Sequence, residues 1–176
     1  MCIRDSDPSL NLRIRTEDLG DNVSYDYELK QPLRVVLDTN LKTSPSARIL
    51  ALPGNTLIYS CSNDNLKRQK LNQAGAEIKT LSGTKIALDK VLKDLAKRQI
   101  NEVHVEAGAT LCGALLEEKQ VDEIIIYMAA TILGGNARSL FNLPQLQLMK
   151  DKINVEIKDI RAVGNDWRIT AVPIYD

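Results

Sequence analysis

The sequence predicts an α/β fold with a mainly parallel sheet, helices on both faces of that sheet and a C-terminal antiparallel hairpin. Two observations support this fold class. Apolar runs alternate with segments of helical period over residues 32–117, which is the order of parallel strands joined by helices. Two later apolar runs, at residues 154–163 and 167–174, are separated only by Gly-Asn-Asp, as in a hairpin with a short turn.

The elements of the first half follow in order. Residues 10–15 alternate like a half-buried strand or an extended edge, and the polar segment 16–30 is predicted to be a variable loop. Residues 33–37 are apolar apart from Arg34, which is typical of a strand covered on both faces. The other predicted elements are a short turn or helix ending at Leu50, strands at 56–61 and 76–81, a polar helix at 64–73 followed by Gly75, and an amphipathic helix at 86–98.

Length and composition narrow the range of functions. The chain has 176 residues, which suits one domain and is too short for two of ordinary size. Lys plus Arg and Asp plus Glu both number 23, so net charge favours neither nucleic acid nor an anionic membrane as a partner. The longest apolar run, residues 124–133, overlaps a strand predicted at 123–131 and is far shorter than the ~20 residues of a membrane span.

Residues 103–116 are the most informative stretch. Val103 and Val105 alternate with polar residues, which predicts a short buried strand at the end of segment 100–106. Gly108 then allows a sharp turn and a close approach to a ligand, and leucines at helical spacing predict a helix from this point. The N-terminus of such a helix suits a phosphate. A turn that serves only packing remains an equal alternative, because the P-loop lysine and the third glycine of the dinucleotide fingerprint are absent.

Three side chains in this stretch carry possible chemistry. Glu106 lies where open α/β sheets bind ligands, and it either contacts a substrate or accepts backbone N–H groups. His104 is the only histidine and alternates with the two valines, so we interpret it as a structural residue. Cys112 is most simply a small packing residue. The three cysteines lack metal or disulfide spacing, which predicts no metal site and a reducing cytoplasmic location.

Four segments together resemble one known family, the reductase domain of the bifunctional riboflavin-biosynthesis deaminase/reductase. They are Asp-Pro-Ser-Leu at 7–10 with Arg13, Gln-Pro-Leu-Arg-Val-Val-Leu-Asp-Thr at 31–39, Glu-Ala-Gly-Ala-Thr-Leu-Cys-Gly-Ala-Leu-Leu at 106–116, and Leu-Gly-Gly-Asn-Ala-Arg at 133–138. The resemblance implies a dihydrofolate-reductase-like fold. It also implies NADPH-dependent reduction of 5-amino-6-(5-phosphoribosylamino)uracil to its ribitylamino product, with hydride going to the sugar C1.

The resemblance also implies site residues. Glu106, Leu10 and Arg13 are expected on the substrate side, with the Arg13 guanidinium suited to the substrate phosphate. The expected cofactor contacts are Gly108, Ala109, Thr110, Leu111, Cys112, Gly113, Ala114 and Thr39. An equal alternative for Thr39 is that Asp38 and Thr39 only cap the following turn. No general acid is identified, and we expect a homodimer.

The resemblance leaves some points open. Residues 1–6 do not match the family and are expected to be non-native sequence. A strand and helix that precede the Asp-Pro segment in the family, and the deaminase domain, are expected to be missing from this single reductase domain. Two other functions remain as alternatives: another reductase of the same fold acting on a pterin, or a non-catalytic module that binds nucleotide or dimerises.

Overall fold

The computed structural model describes residues 7–13 and 30–175, and it divides the chain into two compact units. The first unit comprises residues 1–102 and the second residues 103–176. The single domain expected from the length stays a prediction. In the part of the chain that is described, no helix is long and apolar enough to cross a membrane.

The first unit contains a three-stranded parallel sheet in the order β1-β2-β3. In register, Val36 of β1 pairs with Ile58 of β2, which pairs with Ile78 of β3. The elements are β1 (Arg34–Leu37), α1 (Arg48–Ala51), β2 (Thr56–Ser60), α2 (Asn65–Gln73), β3 (Ala76–Thr80) and α3 (Leu88–Lys97). Each predicted strand and helix over residues 33–98 is therefore confirmed.

Helices cover both faces of this sheet, as predicted. Successive side chains of β2 point to opposite faces. Ile58 packs with Ile49 and Leu71 on the face that carries α1 and α2. Leu57 and Tyr59 pack on the other face in a second cluster, whose α3 residues are Val91 and Leu95.

Local signals fix the boundaries of α2. Asp64 precedes the helix, and its side chain accepts a hydrogen bond from the Lys67 N–H at 3.0 Å. This bond satisfies one of the amide groups that lack a partner in the first helical turn. Gly75 follows the helix with φ +93°, a left-handed conformation that ends helices and favours glycine.

A charged network ties α3 to the sheet. The Asp94 carboxylate accepts hydrogen bonds from Lys79 Nζ at 2.5 Å, Tyr59 Oη at 2.7 Å and Arg98 Nε at 3.0 Å. The bonds from Lys79 and Tyr59 lower the pKa of Asp94 to about 2. Burial and the bond to Asp94 raise the pKa of Tyr59 above its ordinary value. Arg98 also bonds both carboxylate oxygens of Glu77, so the network connects β2, β3 and α3.

The second unit contains one helix and a three-stranded antiparallel sheet in the order β4-β6-β5. Its elements are α4 (Ala109–Glu117), β4 (Ile124–Met128), a 3-10 turn (Met149–Asp151), β5 (Asn154–Val163) and β6 (Asp166–Ile174). The predicted C-terminal hairpin is confirmed, with Gly164 at φ +61° in its turn. A register shift lies between Ile157 and Asp159 of β5.

The strand predicted at residues 100–106 is absent from the structure. Residues 101–107 belong to no strand, and Val103 and Val105 are 41% and 42% exposed. An alternating pattern is compatible with any extended segment, and it becomes a strand only when a neighbour supplies backbone hydrogen bonds. No described backbone group pairs with residues 101–107 in this way. Of the segment 10–15, predicted as a strand or an extended edge, residues 10–13 form no strand and residues 14–15 lie outside the described residues. Of the loop predicted over 16–30, only residue 30 is described.

The Asp94 network makes the stability of the first unit sensitive to acid. Because the folded pKa of Asp94 is about 2 and the unfolded value is about 3.9, its contribution is present above pH ~4 and is lost as the pH falls towards ~2. Asp94→Asn should lower the free energy of unfolding at pH 7 by about 1–3 kcal/mol and flatten its pH dependence between these values.

Denaturant unfolding from pH 2 to 7 measures both effects. The control is Asp89→Asn, which removes an exposed i,i+4 pair with Lys93 and should change stability by less than about 0.5 kcal/mol. Equal effects of the two substitutions would contradict the network.

Candidate functional site

The N-terminus of α4 is an open backbone site. Gly108 precedes the helix, no side chain caps it, and the first turn holds no acidic residue. The first intrahelical bond runs from the Cys112 N–H to the Gly108 carbonyl, so the amides of residues 109–111 have no helical partner. A Cβ added at Gly108 would meet no atom within 4 Å. This turn can therefore receive an anion along the positive end of the helix dipole.

The conformation of Gly108 differs from the prediction. The sequence suggested a sharp turn that needs the freedom of glycine, whereas the residue has φ −82° and ψ 172°. This is extended backbone that any residue adopts. What glycine provides at this position is the open space in front of the helix.

Gly113 has a packing role inside the second unit. A Cβ at this position would lie 2.0 Å from the carbonyl oxygen of Asn142. The Asn142 N–H donates to the Ala109 carbonyl at 2.9 Å, so the loop around residue 142 lies directly against α4. A glycine inside a helix lowers helix stability by about 1 kcal/mol relative to alanine. A glycine inside a predicted helix is therefore the sequence signal that could have indicated a close contact at this position.

The other residues of α4 differ in exposure. Thr110 is exposed, whereas Ala109, Leu111, Cys112 and Ala114 are half-buried. The Cys112 thiol donates to the Ala107 carbonyl at 3.6 Å, which agrees with a packing role. Gly108 and Thr110 are thus the most accessible of the predicted cofactor residues.

Glu106 is accessible and lies two residues before Gly108. Its side chain is 48% exposed, and Oε1 is 3.9 Å from His104 Nε2. Its two predicted roles, a substrate ligand or an acceptor of backbone N–H groups, both stay predictions. The His104 side chain is 68% exposed, and its interpretation as a residue between buried valines was wrong because those valines are not buried.

In the first unit, Asp38 caps the turn after β1. Its carboxylate accepts hydrogen bonds from the Thr43 N–H and hydroxyl, both at 2.7 Å. The Thr39 carbonyl accepts from the Ser60 hydroxyl at 3.0 Å and the Cys61 N–H at 3.1 Å. The predicted contact of Thr39 with a cofactor stays a prediction.

Leu10 and Arg13 lie on an irregular segment of the first unit. Leu10 is half-buried and packs against the cluster that contains Val36 and Ile58, whereas Arg13 is exposed. The segment is held by Asp7 and Gln31, two residues of the quoted motifs to which sequence reasoning assigned no role. Across residues 7–13 and 30–175, no group of three or more His, Cys, Asp or Glu could hold a metal ion.

Comparison with known proteins identifies the family and the fold. A family model described as "RibD C-terminal domain" matches residues 2–169. The chain is 37% identical over 165 residues to the Escherichia coli riboflavin biosynthesis protein RibD, covering 91% of this chain and 43% of that protein. It is 30% identical over 172 residues to 5-amino-6-(5-phosphoribosylamino)uracil reductase of Buchnera aphidicola, covering 97% of this chain and 82% of that protein.

A solved structure of Acinetobacter baumannii RibD superposes with a TM-score of 0.78 at 30% identity, covering 98% of this chain and 44% of that chain. The chain thus spans less than half the length of the RibD relatives, and most of the Buchnera reductase. The predicted dihydrofolate-reductase-like fold is confirmed.

The two glycines of α4 should respond differently to alanine. Gly113→Ala should destabilise the second unit by about 1–3 kcal/mol, because the new Cβ overlaps the backbone of Asn142. Gly108→Ala meets open space and should cost less than about 1 kcal/mol, as the loss of a glycine N-cap. Thermal unfolding of both variants measures the difference. A Gly113→Ala variant as stable as the wild type would contradict the packing role.

Proposed function

Since the chain belongs to the RibD C-terminal domain family, we propose that it acts as a 5-amino-6-(5-phosphoribosylamino)uracil reductase of riboflavin biosynthesis with NADPH as hydride donor. The observation that carries the proposal is the uncapped N-terminus of α4, open in front of Gly108. Free amides and a helix dipole are what a cofactor diphosphate requires. The stretch that resembles the reductase signature contains this turn and Glu106.

We assign the cofactor phosphates to the backbone of residues 108–111. Thr110 is exposed and adds a hydroxyl that can donate to a phosphate oxygen. Gly113 supports this turn indirectly, because it lets the loop at Asn142 pack against α4 and bond to the Ala109 carbonyl. Leu111, Cys112 and Ala114 extend the same turn, and Thr39 is retained as a further cofactor contact.

The substrate side uses two charged residues of opposite sign. Arg13 is exposed, and its planar guanidinium can bind a phosphate through two parallel hydrogen bonds. The Glu106 carboxylate is accessible and accepts only hydrogen bonds when ionised, so it fits the hydroxyl or NH groups of the ribosylaminouracil. Leu10 is half-buried and contributes apolar surface on the same segment as Arg13.

In the proposed reaction, the bound nicotinamide supplies the hydride, which goes to C1 of the ribosyl group. The residues of this chain bind and align the two reactants. Glu106 orients the substrate, and Arg13 fixes its phosphate end. Alignment of this kind lowers the barrier because it replaces a random encounter by a fixed geometry.

We further propose a cytoplasmic homodimer. Cys61 and Cys112 are free thiols, which suits a reducing compartment. On β5, Val155, Ile157 and Ile160 are 47%, 56% and 52% exposed. Apolar surface of this kind on an edge strand favours an interface between two copies.

The phosphate assignment predicts the effect of a larger residue at Gly108. Gly108→Val should raise the NADPH dissociation constant roughly ten- to a hundredfold, the value of one or two lost charge-assisted hydrogen bonds. The extended φ of Gly108 tolerates valine, so the fold should persist. Fluorescence titration measures the affinity. Ala96→Val, on the exposed side of α3, is the matched control. An unchanged NADPH affinity of the Gly108→Val variant would reject the assignment.

The substrate assignment predicts that Glu106→Gln impairs substrate use more than cofactor binding. Glutamine keeps the size and loses the charge, and one charged hydrogen bond is worth about 1.5–3 kcal/mol. We therefore expect kcat/KM to fall roughly ten- to a hundredfold while the NADPH dissociation constant stays within about twofold. Glu102→Gln alters an exposed carboxylate of the same irregular stretch and serves as control. A loss confined to NADPH binding would show that Glu106 is not a substrate ligand.

A further inference from the structure

The segment that carries Arg13 is fixed at both ends by side chains of the first unit. At its start, Asp7 Oδ1 accepts a hydrogen bond from the Arg48 N–H at 2.9 Å. Near its end, Gln31 Oε1 accepts one from the Leu12 N–H at 3.0 Å. The residues between these bonds form no helix or strand, so the two acceptors replace the backbone hydrogen bonds that would otherwise hold the chain.

The middle of the segment is packed against the unit. Pro8 and Ser9 are buried, Leu10 is half-buried against the core cluster, and Arg13 is exposed. Leu10 has φ +45°, a left-handed conformation that costs a leucine free energy and persists only where the surroundings determine it. The backbone is therefore held in one path up to Leu12, and the next residue presents its side chain to solvent.

Gln31 is itself held in place by a rigid turn. A Cβ added at Gly54 would lie 2.9 Å from Gln31 Cβ, so the Gln31 side chain lies directly against the Gly54 backbone. The buried Arg34 fixes that turn, because its Nη2 donates to the Leu52 carbonyl at 2.9 Å and to the Gly54 carbonyl at 2.6 Å. The base of the side chain that carries the acceptor for the Leu12 N–H is therefore fixed against this turn.

We propose that Asp7 and Gln31 are positioning residues that hold the exposed guanidinium of Arg13 in the orientation for the substrate phosphate. The inference rests on the proposed function, since it takes Arg13 as the phosphate ligand. Neither residue touches the substrate. Each acts through a backbone N–H of the segment or of α1, so its removal should weaken recognition of the phosphate and leave NADPH binding unchanged.

The experiment uses ribose 5-phosphate and ribose as paired probes on the full chain. Calorimetry gives the affinity for each probe, fluorescence gives the NADPH affinity, and hydrogen exchange gives the protection of the Leu12 and Arg48 amides. The variants are Gln31→Met with Gln69→Met on the exposed face of α2 as its control, and Asp7→Ala with Asp7→Asn. The second pair removes the same charge, but only asparagine keeps an acceptor for the Arg48 N–H. Arg13→Met tests the phosphate ligand itself.

We expect Arg13→Met to remove the preference for ribose 5-phosphate over ribose. Gln31→Met and Asp7→Ala should each weaken ribose 5-phosphate binding by roughly three- to tenfold, as for one ordinary hydrogen bond, and speed exchange of the Leu12 and Arg48 amides respectively. Gln69→Met should match the wild type in all measurements. Asp7→Asn should show the wild-type exchange rate of the Arg48 amide, and it should bind ribose 5-phosphate more tightly than Asp7→Ala does.

Two results overturn the inference and are distinguishable. If Arg13→Met abolishes the phosphate preference but Gln31→Met and Asp7→Ala do not weaken binding, or do not change amide exchange, the positioning role is wrong and the proposed function stands. If Arg13→Met leaves the preference unchanged, or the wild type shows none, the assignment of Arg13 to the substrate phosphate fails, and the positioning role fails with it.

Discussion

The first unit depends on the complete burial of β2. All residues of Thr56–Ser60 are buried, with a strand on each side and helices on both faces. A buried hydroxyl without a partner costs about 1–3 kcal/mol, so every polar side chain of this strand needs an internal acceptor. The acceptors are the Ile49 carbonyl for Thr56, the Asp94 carboxylate for Tyr59 and the Thr39 carbonyl for Ser60. One buried strand thereby fixes α1, α3 and the turn after β1.

The same requirement, that a polar group must find a partner inside the chain, has opposite consequences at two candidate binding regions, one in each unit. Before α4 the backbone amides have no internal partner, and the open space at Gly108 leaves them available to an anion. On the substrate segment the amides of Leu12 and Arg48 are satisfied by side chains, and the charged group of Arg13 is left exposed. A fixed backbone with a free charged or polar group is the condition for preorganised binding.

Local patterns predicted the elements of the first unit because β2 is an apolar run, α3 has a strong apolar period, and the polar helix α2 has clear terminal residues in Asp64 and Gly75. The same reasoning failed at residues 101–107, since alternation indicates an extended chain but says nothing of whether a neighbour pairs with it. The resemblance selected Arg13 and Glu106 by type. It included Asp7 and Gln31 in its motifs but did not reveal their role, because their partners are backbone amides 41 and 19 residues away in sequence, and no local pattern encodes such contacts.

The contact between Gly113 and Asn142 has a consequence for how this protein can vary. The absence of a side chain at position 113 makes room for the backbone carbonyl of residue 142. Only position 113 therefore requires glycine. Position 142 supplies the same carbonyl with any side chain, and only proline, which lacks the N–H that bonds to the Ala109 carbonyl, is excluded there by these backbone contacts. Covariation methods, which detect neighbours by their compensating substitutions, would therefore find no signal between these two positions although they lie in direct contact.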